Sequence, residues 1–192
     1  AEDGAISLEE ARAIQRDNTS LPALELIPYL NELDYGDPAL NAARDRLAGW
    51  DGQLLMDSPE AALYNLVWRA LLDETFHDQL PEARWPEGKD RDADVVHTLL
   101  SQPDSQWWDD RGTAAVETRD DILRLAFEKG YAAGVEAMGE DVDQWTWGDL
   151  HTITFRNATL GNSGIGLIES IFNRGPLPVS GGESVPQKTC FN

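Results

Sequence analysis

Cysteine is almost missing from this sequence. Cys190 is its only one, so neither an internal disulfide nor a cysteine-rich zinc site can form. Lysine is scarce as well, occurring only at Lys89, Lys129 and Lys188. No run approaches the ~20 apolar residues of a membrane span. No signal-peptide pattern is read at the first residues, and neither a repeat nor a low-complexity stretch interrupts the 192 positions. A membrane span is therefore not expected, and localisation stays open on these grounds. Positive charge of any kind is short: 15 Lys and Arg stand against 35 Asp and Glu, a net −20 with a pI near 4.3. Such a surface repels phosphates, which excludes nucleic acid as an expected partner. Acid-rich, lysine-poor surfaces suit high salt, where screening relieves self-repulsion, so halophily is an expectation.

What is present points to a helical fold. Hydrophobic residues make up 41% of the chain and there are seven Trp, enough for one substantial core or two small ones. The stretch Ser58–Leu80 carries only Asn65 and Arg69 as polar residues between Ala61 and Leu72. Ser58 is a good N-cap with Pro59 at the first helical position. A helix so apolar belongs inside a core. Its polar exceptions, Asn65, Arg69, Asp73 and His77, recur every four residues and form one stripe. That stripe reads as a solvated seam, or as the rim of an apolar contact patch.

Other elements follow from local signals. Ser7 to Glu10 predicts a capping box, followed by a helix ending at Asp17–Ser20. Asn18-Thr19-Ser20 also matches a glycosylation sequon, but a helix junction explains it more simply. Leu21–Leu33 predicts a second helix with a kink at Pro28, and Asp37-Pro38 starts a third that ends near Gly49. Pro81–Asp92 reads as a surface loop and Ala93–Leu100 as a short helix, with a further turn at Trp107-Trp108. Thr118 and Asp121 open a helix closed by Gly139. His151–Phe155 alternates as a strand, Ser163–Phe172 as a last helix, and Gly175–Asn192 as a loosely held tail. The expected architecture is mainly α: residues 1–192 as a single helical domain or fragment, one short β piece near 150–156, and a Gly/Pro-rich tail over 176–192.

Several stretches resemble the penicillin amidase family of N-terminal nucleophile hydrolases. They are Leu8–Pro28 with its Asp17-Asn18 break, Leu47–Gly52 (LAGWDG), Trp147–His151 leading to Thr154–Asn157, and Phe172–Pro178 running on to Ser180-Gly181-Gly182. Taken in order they are similar to the helical later part of that family's large subunit. The resemblance implies a segment excised from an αββα hydrolase of linear amides, such as acylated amino compounds or an acyl-homoserine lactone. It also implies the periplasm or cell exterior. Members use an N-terminal Ser, Cys or Thr whose own amine is the base. This sequence starts at Ala1 and has no Gly-Ser-Asn-type processing site, so the expectation is a segment without that chemistry. Its partners would be the remaining parts of the parent enzyme and, through them, a small amide substrate.

Candidate chemistry within the chain is thin. His77, His97 and His151 lie on three separate elements without metal-ligand spacing. Glu140, Asp141 and Asp143 lack the further oxygen ligands of a calcium loop, and the adjacent Asp109 and Asp110 imply no glycosidase cleft. Gly161, Gly164 and Gly166 are not spaced as a dinucleotide fingerprint. Ser163 reads as an N-cap, although Ser163, His151 and Asp149 can be written as a triad on paper. The Trp residues are expected to fill the core or its rim. No residue is assigned a catalytic, cofactor-binding or metal-ligating role, and no cofactor is expected. The resulting reading is a segment that supports the substrate pocket of an amide hydrolase. The alternative is a free-standing acidic helical interaction module without enzymatic activity.

Overall fold

The computed structural model describes residues 6–183 together with 185 and 186. Among them lie eight α-helices: α1 (Leu8–Gln15), α2 (Leu21–Asn31), α3 (Pro38–Ala48), α4 (Pro59–Phe76), α5 (Asp90–Leu100), α6 (Arg119–Met138), α7 (Trp147–Leu150) and α8 (Gly166–Phe172). Two strands, β1 (Thr152–Phe155) and β2 (Arg174–Pro178), complete a mainly helical fold.

Local chemistry sets most helix starts. The Ser7 hydroxyl accepts from Glu10 N–H while the Glu10 carboxylate accepts from Ser7 N–H, a closed capping box. Single side-chain oxygens of Ser20, Asp37 and Ser58 accept first-turn N–H groups of α2, α3 and α4. Thr118 donates from both its N–H and hydroxyl to Asp121 at the head of α6. Expected boundaries shift in α2, α4 and α5. The α2 helix ends at Asn31 instead of Leu33. The α4 helix stops at Phe76 instead of reaching Leu80, and α5 begins at Asp90, inside the expected loop. A short 3-10 turn, Glu82–Arg84, also occupies that loop.

Helix α4 is the axis of the core, with ten buried residues, and packs most extensively against α6. Their approach is close because α6 carries Gly130 at the crossing. A Cβ there would lie 2.6 Å from the backbone nitrogen of Val67. Trp108, Trp145 and Trp147 are fully buried, Trp68 nearly so, and Trp50 and Trp107 pack on the rim. Trp85 departs from that pattern and is exposed.

The last quarter of the chain differs from the local signals at several points. The expected solitary strand has a partner: β2 pairs antiparallel with β1, Thr152 opposite Pro178 and Ile153 opposite Leu177. β2 falls where a loose tail was expected to begin. Further along, Ser180 accepts from Met56 N–H at 2.9 Å, Gly181 N–H donates to the Leu54 carbonyl at 2.7 Å, and Val185 is buried. Long-range hydrogen bonds thus reach Ser180 and Gly181 within the Gly- and Pro-rich stretch; Ser184 and residues 187–192 of the expected tail lie outside the described residues. Helix α8 starts at Gly166 after an Ile165 cap, so Ser163 is not the N-cap; its hydroxyl accepts from Ile165 N–H within the loop.

The hairpin and α8 expose Phe155, Ile165, Leu167, Ile171, Phe172 and Leu177, and α8 buries no residue. These exposed apolar side chains lie on elements other than α4, the helix that carries Asn65, Arg69 and Asp73. Asn65 donates to the Ala61 carbonyl of its own helix. Arg69 and Asp73 border a groove of about 240 Å³ between α4 and α6, away from β1 and β2.

Candidate functional site

The stretches Asp17–Ser20, Trp50–Met56, Trp147–His151 and Val179–Gly182 are far apart in sequence and meet at one junction. At its first edge Asn18 N–H donates to the Gln53 side-chain carbonyl, and Leu54 N–H to the Asn18 carbonyl. The Gln53 amide donates to Asp17 and Thr19 oxygens, and Ser20 N–H to the Gly52 carbonyl. At the other edge Gly148 N–H donates to the Met56 carbonyl at 2.7 Å. Glycine is required there, since a Cβ would sit 2.7 Å from the Pro178 ring and 3.0 Å from that carbonyl.

Trp147 and His151 form the centre. The indole N–H of Trp147 donates to the Gly181 carbonyl at 2.9 Å. One turn later the imidazole of His151, 1% exposed, lies parallel to that indole. Its Nδ1 stands 3.0 Å from the Val179 carbonyl, which fixes the proton on Nδ1, since a carbonyl only accepts. Val179 N–H in turn donates to the His151 carbonyl. These groups hold chain segments together.

Beside the junction lies a narrow cleft of about 60 Å³, lined in part by Tyr64, Asn65, Trp68, Arg69 and Trp147. Burial pushes the Tyr64 phenol well above its ordinary value, so it stays protonated. At the cleft mouth Glu87 pairs with Lys89, whose hydrogen bond holds the Glu87 carboxyl below the usual range and raises the lysine. The space suits ordered water better than a substrate.

The other sequence candidates are dispersed. His77 contacts Asp73 at 3.1 Å, exposed His97 contacts Glu25 at 2.9 Å, and His151 is buried elsewhere. Asp109 and Asp110 accept loop N–H groups from Glu117 and Gly112. Asp141 caps its own turn through Asp143 N–H, and Asp143 pairs with Arg46. Ser163 sits exposed in a loop while His151 is buried, so the pair makes no nucleophile and base. Among the described residues no three His, Cys, Asp or Glu side chains gather as a metal site. Sequence reasoning did not single out Val179, whose carbonyl faces His151; the adjacent Ser180-Gly181-Gly182 turn was the available signal.

Comparison with known proteins bears on this junction. The sequence profile described as penicillin amidase matches residues 1–192. The chain belongs to the penicillin amidase family. It is similar to the acyl-homoserine lactone acylase QuiP of Pseudomonas putida, 32% identical over 191 residues, covering 88% of this chain and 23% of that protein. QuiP of Pseudomonas aeruginosa is 30% identical over 156 residues, with 72% and 18% covered. QuiP of Pseudomonas fluorescens Pf-5 is 33% identical over 128 residues, with 60% and 15% covered. The chain thus spans about a fifth of the length of the curated relatives it matches. Within the penicillin amidase family, then, it corresponds to a helical segment, and among its described residues no helix is long and apolar enough to cross a membrane.

Proposed function

We propose that this chain is the pocket-supporting helical segment of an enzyme that hydrolyses linear amide C–N bonds. The reaction is acyl transfer through an N-terminal nucleophile supplied by another part of the enzyme. The relatives' names favour an acylated amino lactone as the substrate class. One observation carries the reading: the two central side chains of the junction hold backbone, His151 to the Val179 carbonyl and Trp147 to the Gly181 carbonyl. A catalytic residue needs reach to a substrate atom, and His151 is buried. The exposed face of α8, β1 and β2 is where the remaining parts of the enzyme would pack, since apolar surface of this kind is usually covered by a partner.

Hydrolysis assays with chromogenic acyl amides and an acyl-homoserine lactone test this proposal. The 192-residue chain alone is expected to be inactive. In an enzyme that contains it, His151→Ala should lower the yield of folded protein while leaving kcat per folded molecule near the parent value. Turnover by the chain alone, abolished by a point substitution within it, would falsify the reading.

A further inference from the structure

The loop joining α4 to α5 is pinned at both ends. Near its start the Trp85 indole lies flat on the His77 ring, centroids 3.9 Å apart, and its N–H donates to the Leu80 carbonyl at 3.0 Å. Near its end one oxygen of Asp92 accepts from the N–H groups of Glu87, Gly88 and Lys89 at 3.1, 2.9 and 2.9 Å. Between the pins lies a groove of about 280 Å³, walled by Phe76, Leu80, Pro86, Val95 and Trp107. Phe76 and Trp107 meet ring to ring with centroids 5.8 Å apart, giving it one aromatic wall.

Two charged side chains line the groove, and they differ in state. The Asp92 carboxylate is engaged by its three backbone donors. Exposed Arg84 has no hydrogen-bond or ion-pair partner for its guanidinium among the described residues. An apolar groove whose one unpartnered charge is a guanidinium fits an amphiphile with an anionic head. The planar fork of arginine matches a carboxylate through two parallel hydrogen bonds. Small-ligand sites are largely preformed apolar clefts of roughly 300–1,000 Å³ with few polar groups, and this groove, at about 280 Å³, falls just below that range, a size for a small ligand. The pinned loop lowers the ordering cost of binding.

We propose that this groove binds a medium-chain carboxylate, its chain against Phe76, Val95 and Trp107 and its head group on Arg84. The groove shares no lining residue with the cleft beside Trp147, and binding is measured without hydrolysis, so this proposal and the hydrolase reading fail separately.

Calorimetric titration of the 192-residue chain with octanoate, below its micelle concentration, is the test. One saturable site is expected. Arg84→Gln should weaken it at least about tenfold, the worth of a charge-assisted hydrogen bond, with an unchanged melting temperature because the guanidinium holds nothing in the fold. Val95→Trp, which fills the groove, should abolish the heat, and octanol should bind about as weakly to the parent chain as octanoate does to Arg84→Gln. The proposal is overturned by the absence of saturable binding, by equal octanoate affinity in Arg84→Gln, or by octanol binding as tightly as octanoate. If Val95→Trp does not fold, the Arg84→Gln and octanol comparisons decide.

Discussion

His151 and Trp147 stack face to face within a single turn, ring centroids 4.6 Å apart and 16° from parallel. Each ring also donates to a carbonyl of the Val179–Gly181 segment, so the stack clamps a stretch some thirty residues downstream. Removing the His151 ring would leave a cavity and take the donor from the half-buried Val179 carbonyl. His151→Ala should therefore destabilise the chain by roughly 2–4 kcal/mol. Urea unfolding followed by Trp fluorescence measures this, and a loss under about 1 kcal/mol would show that the clamp is dispensable.

Arg69 offers the opposite case. Its side chain is 54% exposed and its Nε stands 3.7 Å from Asp73, beyond a good hydrogen bond. Arg69→Ala should shift stability by no more than about 0.5 kcal/mol. A larger loss in the same urea assay would mean that the guanidinium carries packing that its exposure conceals.

The exposed apolar side chains of α8, β1 and β2 predict self-association. Sedimentation velocity at rising concentration should show the chain forming weak oligomers, and Ile171→Asp should suppress them by placing a charge in the patch. Monomeric behaviour of the parent chain at high concentration would contradict this.

Asp121 makes a pH prediction. Hydrogen bonds from Thr118 hold its carboxyl below the ordinary value. A folded pKa below the unfolded one contributes stability that is complete above the unfolded value and is lost as pH falls through the folded value. Asp121→Asn should thus cost about 1 kcal/mol or less near neutral pH, as other helix caps do. The gap to the parent chain should close below about pH 4. Urea midpoints across that range test the sign.

Salt should stabilise the chain. At −20, self-repulsion opposes compaction, and it weakens as the screening length shortens. The melting temperature is expected to climb from dilute buffer to molar sodium chloride. A flat or falling midpoint would make the acidity incidental to folding.

The α4 start and the α6 start were legible in the sequence because Ser58 and the Thr118–Asp121 pair act on neighbours three residues away. Backbone geometry alone brings such partners together. The β2 strand was not legible: Pro176 and Pro178 argue against a strand, and only an edge position opposite β1 tolerates them. In the candidate junction, Trp147, Gly148 and His151 stood out by family resemblance, but nothing local pointed to Val179.

The sequence by itself determined the family, the charge, the helix caps and the apolar length of α4, since these depend on composition or on contacts within a helical turn. Only the tertiary structure decided that His151 is a buried clamp, that Ser180 and Gly181 are fastened at Met56 and Leu54, and that α8 buries none of its apolar side chains. Those outcomes rest on hydrogen bonds and packing between segments up to 124 residues apart, whose pairing no local pattern encodes.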